Sequence, residues 1–202
     1  MAIKYQFNKL AMQAMQKQIK IRQNALPTLK SKETALRLTV KRLKDEQTHI
    51  KREMDQHLKE IEENIRLWAE FPEVMVYLEE VLITTQKIAG VKTPDFSDVR
   101  MHVAPYSLFH APMWYTEGVN QLEQLARILA RIKVLERKMA ILEYARRKTT
   151  QKVNLYEKVQ IPAYEEAIRK IKRFLEDVDN LEKSAQKITK QKVIETAEAN
   201  HG

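Results

Sequence analysis

The chain has 202 residues, 31% of them charged and 7% aromatic, with three glycines and no cysteine, so disulfide and thiol chemistry are excluded. Thirty-six Lys and Arg outnumber 27 Asp and Glu, and the formal net charge of +9 points toward an acidic partner, nucleic acid or an anionic membrane surface, or toward solvated helix faces. No apolar run approaches the ~20 residues of a bilayer crossing, and Met1-Ala-Ile-Lys-Tyr-Gln lacks the apolar core of a signal peptide, so the expectation is a soluble, intracellular chain.

From the N-terminus, apolar residues fall at Ile3, Phe7, Leu10 and Ala14, and resume at Leu36, Val40, Leu43, Ile50, Met54, Leu58, Ile61 and Ile65. Steps of three, four and seven define a heptad-like helical seam. Pro27 lies inside this arm and predicts a bend near residues 23–28. Pro72 disfavours helix at Phe71, so the arm should end near Glu70.

Residues 71–118 hold four of the six prolines and two of the three glycines. Glu73–Ile88 reads as a further helix. Gly90–Asp98 and Val99–Val103 then suggest a small β-hairpin, since the second stretch alternates apolar and polar residues after a run of turn formers. Tyr106, Phe109, Trp114 and Tyr115 are the expected platform for it.

A second arm opens around Gly118 and carries Leu122, Leu125, Leu129, Ile132, Met139 and Leu142, then Val153, Tyr156, Ile168, Ile171, Leu175, Val178, Ala185 and Ile188. Pro162 interrupts it once. Between Glu143 and Lys152 apolar residues thin out and basic ones gather. The expected fold class is all-α: a long antiparallel two-helix coiled coil formed by the N- and C-terminal arms, with a small central insert containing a short helix and a β-hairpin. The corresponding divisions are 1–70, 71–117 and 118–202.

Catalytic and cofactor signals are missing from the pattern. Gly90, Gly118 and Gly202 are too far apart to cradle a phosphate. The five histidines (His49, His57, His102, His110 and His201) show no zinc-ligand spacing, and His49 and His57 would stand ~12 Å apart along a helix. Adjacent carboxylates such as Glu62-Glu63 and Glu79-Glu80 point to different sides of a helix. The expectation is no catalytic residue, no cofactor and no metal.

The stretch Thr149–Asp177 is more specific than coiled-coil statistics. Within it Val153, Asn154, Glu157, Val159, Ile161, Pro162, Ile168, Ile171 and Leu175 fall in register with the C-terminal signature of the D subunits of V-type and A-type ATPases, the central rotor shaft, which the chain resembles. Leu29-Lys-Ser-Lys-Glu-Thr-Ala-Leu36 is similar to that family's Leu-Lys-x-Lys-Arg-Asp-x-Leu, with Glu33 and Thr34 in place of Arg-Asp. Gly90-Val-Lys-Thr-Pro94 is similar to its Gly-Val-x-Val-Pro.

The resemblance implies a non-catalytic rotor subunit, cytoplasmic and peripheral to the membrane as part of a membrane-bound ATPase. It would carry rotation between an ATP-hydrolysing or ATP-synthesising ring and an ion-translocating membrane ring. The implied partners are the catalytic and regulatory subunits of the ring, a small second rotor subunit and a membrane-side stalk subunit. Nucleic acid and direct membrane insertion are not expected. Lys30, Lys32, Arg146, Arg147, Lys148, Lys152, Asn154 and Glu157 are the candidate partner interface. The competing reading is a basic coiled-coil adaptor for an anionic membrane or nucleic acid.

Overall fold

The computed structural model describes residues 4–72, 75–107 and 109–199, with side chains to residue 195. Ile3 of the expected seam, Glu73 and Val74 of the expected insert helix, and His201 and Gly202 lie outside the described residues. The elements are α1 (Lys9–Glu63), α2 (Ile65–Trp68), β1 (Val76–Ile88), β2 (Val91–Val103), α3 (Tyr115–Asn154), a π-helical segment (Leu155–Gln160) and α4 (Ile161–Ala199). The protein is mostly helical, with one two-stranded antiparallel sheet. It divides into two compact units, residues 31–149 and residues 1–30 with 150–202.

Helix α1 starts where Asn8 accepts the Ala11 N–H on its side-chain oxygen at 2.7 Å, satisfying one of the donors a helix start leaves open. It runs 55 residues and contains Pro27. That proline removes one hydrogen bond from a long ladder, and the helix continues. Pro162 is handled differently. It is the second residue of α4, directly after the π-helical segment. The chain is helical on both sides of it, so the missing N–H removes one bond from a continuous ladder, and the wider π turns re-space the bonds ahead of it. The expected interruption therefore takes the form of a change in hydrogen-bond spacing.

In the unit of residues 31–149, Leu36, Val40, Leu43 and Ile50 of α1 form one buried cluster with Ile128, Ile132, Leu135 and Leu142 of α3. Both sets step by four, three and seven. Glu46 pairs with Arg131 at 2.8 Å and Glu33 approaches Arg146 to 3.9 Å, so contacts descend α1 as they climb α3, the antiparallel order. Leu36, Ile50 and Leu142 are fully buried. Each such side chain contributes at most about 1.5–3 kcal/mol.

Two expectations for the insert are corrected here. Val76–Ile88 is a strand, whereas a helix was expected over this stretch. The hairpin partner of Val91–Val103 is therefore the preceding segment, with Val76 opposite Val103 and Ile88 opposite Val91. Val76, Tyr77, Val81, Ile83, Thr84, Thr85 and Ile88 are β-branched or aromatic and fit a pleated surface. Pairing over thirteen residues outweighs the helix-like run Leu78-Glu79-Glu80-Val81-Leu82. Register shifts between Leu78 and Glu80 and between Leu82 and Ile83 bulge the ladder. The turn is Ala89-Gly90, with φ of 48° and 78°.

The aromatic platform also differs from expectation. Phe109 is 97% exposed. The rings that meet are Trp68, Phe71, Trp114 and Tyr115, with centroids 5.1–5.7 Å apart. Helix α3 starts at Tyr115, and Gly118 lies in its first turn, buried under Phe71 and Trp114.

In the other unit, Met15, Ala167 and Ile171 form the buried cluster, flanked by Tyr5, Ala11, Met12, Tyr164, Ile168 and Leu175. On α1 the seam is out of phase with the expected one, because Leu10 and Ala14 are exposed while Met15 and Ile19 are buried, whereas Val153, Ile168, Ile171 and Leu175 fall on the seam as expected. Phe7 precedes the Asn8 cap and cannot set a helical period. Phe7 instead meets Phe174 at 5.0 Å between centroids. From Asp179 to Glu195 no described side chain is buried, and Ala185 and Ile188 are exposed where a seam was expected.

Candidate interaction surface

A cation can recruit an outside partner only insofar as the chain has not already neutralised it. The eight predicted interface residues divide between the two units. In the unit of residues 1–30 with 150–202, Lys30 Nζ lies 2.6 Å from Glu157 Oε1, both roughly half exposed. These two meet each other. Lys152 Nζ stands over the Tyr156 ring at 5.7 Å, and Asn154 is exposed.

Sequence reasoning missed Arg22 in this unit. Its Nε donates to Gln160 Oε1 at 2.6 Å and its Nη1 donates to the Gln18 carbonyl and side-chain oxygens. The guanidinium also lies over Tyr164 and Tyr156, at 4.9 and 5.6 Å. Arg22 thus ties α1 to the π-helical segment. An arginine embedded in an otherwise ordinary solvated face gives no sequence signal for such a role.

In the unit of residues 31–149, Arg146 donates to both oxygens of the Glu143 carboxylate, at 2.6 and 3.0 Å, with Glu33 nearby. The Arg146 hydrogen bonds hold the Glu143 carboxyl below the usual glutamate range, and Glu143 in turn raises the Arg146 guanidinium. Arg147 reaches the same carboxylate at 3.6 Å but is 72% exposed. Lys148 Nζ lies 5.1 Å from the Tyr144 ring centroid. Lys32 Nζ sits beside the hairpin turn at Gly90. Small side chains make up the thin apolar stretch after Glu143. Ala145 packs on the core cluster, and buried Thr149 donates its hydroxyl to the Ala145 carbonyl at 2.8 Å.

The residue that most shapes this unit is Lys138, also missed from sequence. It is only 7% exposed. Its ammonium donates to Asp95 Oδ1 at 2.9 Å and to Gln86 Oε1 at 3.0 Å, one partner from each strand. Arg127 adds a contact to Asp98 at 3.4 Å, and Ile88 and Val91 at the hairpin end pack on the helix core. The signal in sequence is positional: Leu135, Lys138 and Leu142 step by three and four, so a lysine occupies a seam position.

Three of the four described histidines make local contacts. His57 approaches Glu60 at 3.5 Å, His102 stacks on Tyr77 and His110 bonds to Ser107. Among the described residues no group of three His, Asp or Glu is placed to hold a metal, and no helix is long and apolar enough to cross a membrane.

These features define a class: a mostly helical protein whose unit of residues 31–149 pairs α1 with α3 and holds a β-hairpin to α3 by charge. Residues 11–191 match the family of ATP synthase D subunits, and the chain belongs to that family. It is 30% identical over 183 residues to the V-type ATP synthase D subunit of Borreliella burgdorferi, covering 88% of this chain and 89% of that one. It is 28% identical over 180 residues to the protein of the same name from Chlamydia caviae (83% of each chain). The identity to that from Chlamydia pneumoniae is 27% over 176 residues, covering 85% of this chain and 84% of the relative.

Proposed function

We propose that this chain is the non-catalytic central-stalk subunit of a V/A-type rotary ATPase, carrying rotation between the nucleotide-hydrolysing or -synthesising ring and the ion-translocating membrane ring. The observation that carries the reading is the family match over residues 11–191, reinforced by relatives of near-equal length named as V-type ATP synthase D subunits. The paired seams support it. A coiled coil of the two arms supplies bending stiffness without a substrate site, and that is what a torque-bearing element requires. The partners in this reading are the catalytic and regulatory subunits of the ring, a small second rotor subunit and a membrane-side stalk subunit, with the chain peripheral to the membrane.

Within this reading the eight predicted interface residues contact partners. Lys32, Arg146, Arg147 and Lys148 do so in one unit, and Lys30, Lys152, Asn154 and Glu157 in the other. Exposed ion pairs are each worth only about 0–1 kcal/mol, which suits surfaces that must slide. Arg147 and Lys148 are the strongest candidates, since Arg146 is engaged by Glu143 and Glu33 and Lys30 by Glu157. The test is single-molecule rotation: the ring is fixed to a surface and a bead is attached to this chain through an engineered cysteine. ATP should drive unidirectional rotation of the bead. A ring that turns over ATP at full rate while this chain stays still, or is absent, overturns the proposal.

A further inference from the structure

The pairing of α1 with α3 leaves one flank of α3 unused. Between that flank and β1 lies an open groove of about 510 Å3, walled by Leu78, Val81 and Ile83 from the strand and by Ala126, Leu129 and Ala130 from the helix. Leu78, Ile83 and Leu129 remain 47%, 49% and 43% exposed. Single exposed apolar side chains are ordinary, but a contiguous set lining a concavity marks a contact site. Ala126 and Ala130, one turn apart, keep the helix side of the groove low enough for a second backbone to approach.

Charge at the rim selects the occupant. Helix α3 carries five cations between positions 127 and 138. Three are neutralised within the chain: Arg127 by Asp98, Arg131 by Glu46 and Lys138 by Asp95. The other two, Lys133 and Arg137, line the groove and have no ion-pair partner among the described residues. They stand one helical turn apart on one face, where like charges repel mildly. A chain that neutralises their neighbours and leaves this pair open presents a place for carboxylates from outside.

We infer that the groove between β1 and α3 docks an amphipathic helix of a partner protein, its apolar stripe filling the groove and its flanking carboxylates meeting Lys133 and Arg137. From Ala126 to Arg137 the groove follows α3 for about 16 Å, three helical turns. The i,i+4 spacing of the two cations matches carboxylates one turn apart on a helix laid alongside. A nucleic-acid strand would satisfy the cations but leave the apolar walls unmatched. The inference is independent of the rotor assignment, because it concerns the isolated chain and a synthetic probe.

The test is fluorescence anisotropy of the full-length chain with a labelled peptide of about eighteen residues, long enough to form helix. The peptide carries a leucine stripe bordered by glutamates one turn apart, and a matched peptide carries lysine at every glutamate. The glutamate peptide should bind about tenfold tighter, with the difference shrinking as salt rises. The exposed double variant K133E/R137E should reverse the preference with its thermal melting unchanged. I83Q/L129Q, which strips the apolar walls at two exposed positions, should weaken both peptides. Equal binding of the two peptides, or an unchanged preference in K133E/R137E, overturns the inference. So does sedimentation showing that the chain dimerises and that I83Q/L129Q makes it monomeric, since the occupant would then be a second copy.

Discussion

Lys138 shows how one residue can organise a fold without belonging to any recognisable motif. A nearly buried ammonium is tolerable only if its charge is met, and Asp95 and Gln86 meet it from the two strands of the hairpin. Asp95→Ala leaves the ammonium short of its counter-charge and should cost about 1–3 kcal/mol, read as a lower urea midpoint at pH 7. Lys138→Met in the same chain should restore at least half of the loss, because the orphaned charge is then gone. If the double variant is no better than Asp95→Ala, the pair does not hold the hairpin. Glu143 gives a pH signature. Its carboxyl is held low mainly by the Arg146 hydrogen bonds, so its contribution is complete above the unfolded glutamate pKa of about 4.3 and lost as pH falls through the lowered folded value. Glu143→Gln should therefore be less stable than the parent at pH 7, and the two should converge in acid below about pH 4. The seam position of Lys138 is visible in the sequence. Its partners are not, because they sit 43 and 52 residues away on strands whose pairing the local pattern does not reveal.

At the level of elements, legibility follows the period of the pattern. The α1 positions Leu36, Val40, Leu43 and Ile50 and the α3 positions Ile132 and Leu142 are readable because a helical seam repeats over many turns, and the structure buries them. The strand β1 is not. Its Leu78-Glu79-Glu80-Val81-Leu82 run satisfies helical spacing, and only the thirteen-residue ladder to β2 decides for strand. The turn confirms how strongly that ladder is imposed. Ala89 is held at φ 48° and Gly90 at 78°, the two positive values that a two-residue hairpin turn of matching twist requires. Glycine adopts this conformation freely, but alanine is strained there. Ala89→Asn should raise stability by about 0.5–1 kcal/mol, measured by urea denaturation. A loss of stability would show that the alanine methyl makes a packing contact worth more than the strain. The early phase error, Leu10 and Ala14 in place of Met15 and Ile19, has a local cause. A period counted from Phe7 goes astray because the Asn8 cap places that residue outside the helix.

For the whole molecule, three short sequence matches point to the family that the comparison over residues 11–191 establishes, even though the seam they sit in is partly misphased. Motif register survives such errors because it depends on identity at fixed spacing and not on which face is buried. The C-terminal tail is where burial and function separate. From Asp179 to Glu195 every described side chain is exposed, including Leu181 at 70%, Ile188 at 58% and Val193 at 61%. Helix propensity alone sustains a segment of this length only marginally in water, and Leu181 and Ile188 lie outside any buried cluster. Under the rotor reading they are covered by the ring. Deleting residues after Asn180 should therefore leave thermal unfolding of the isolated chain unchanged, since every described side chain in that stretch is exposed. The same deletion should weaken assembly with the ring, or ATP-driven rotation in the assembled complex. The two measurements separate the alternatives. A truncated chain that melts lower shows that the tail stabilises the fold itself, and one that melts and rotates normally removes the tail from the coupling path.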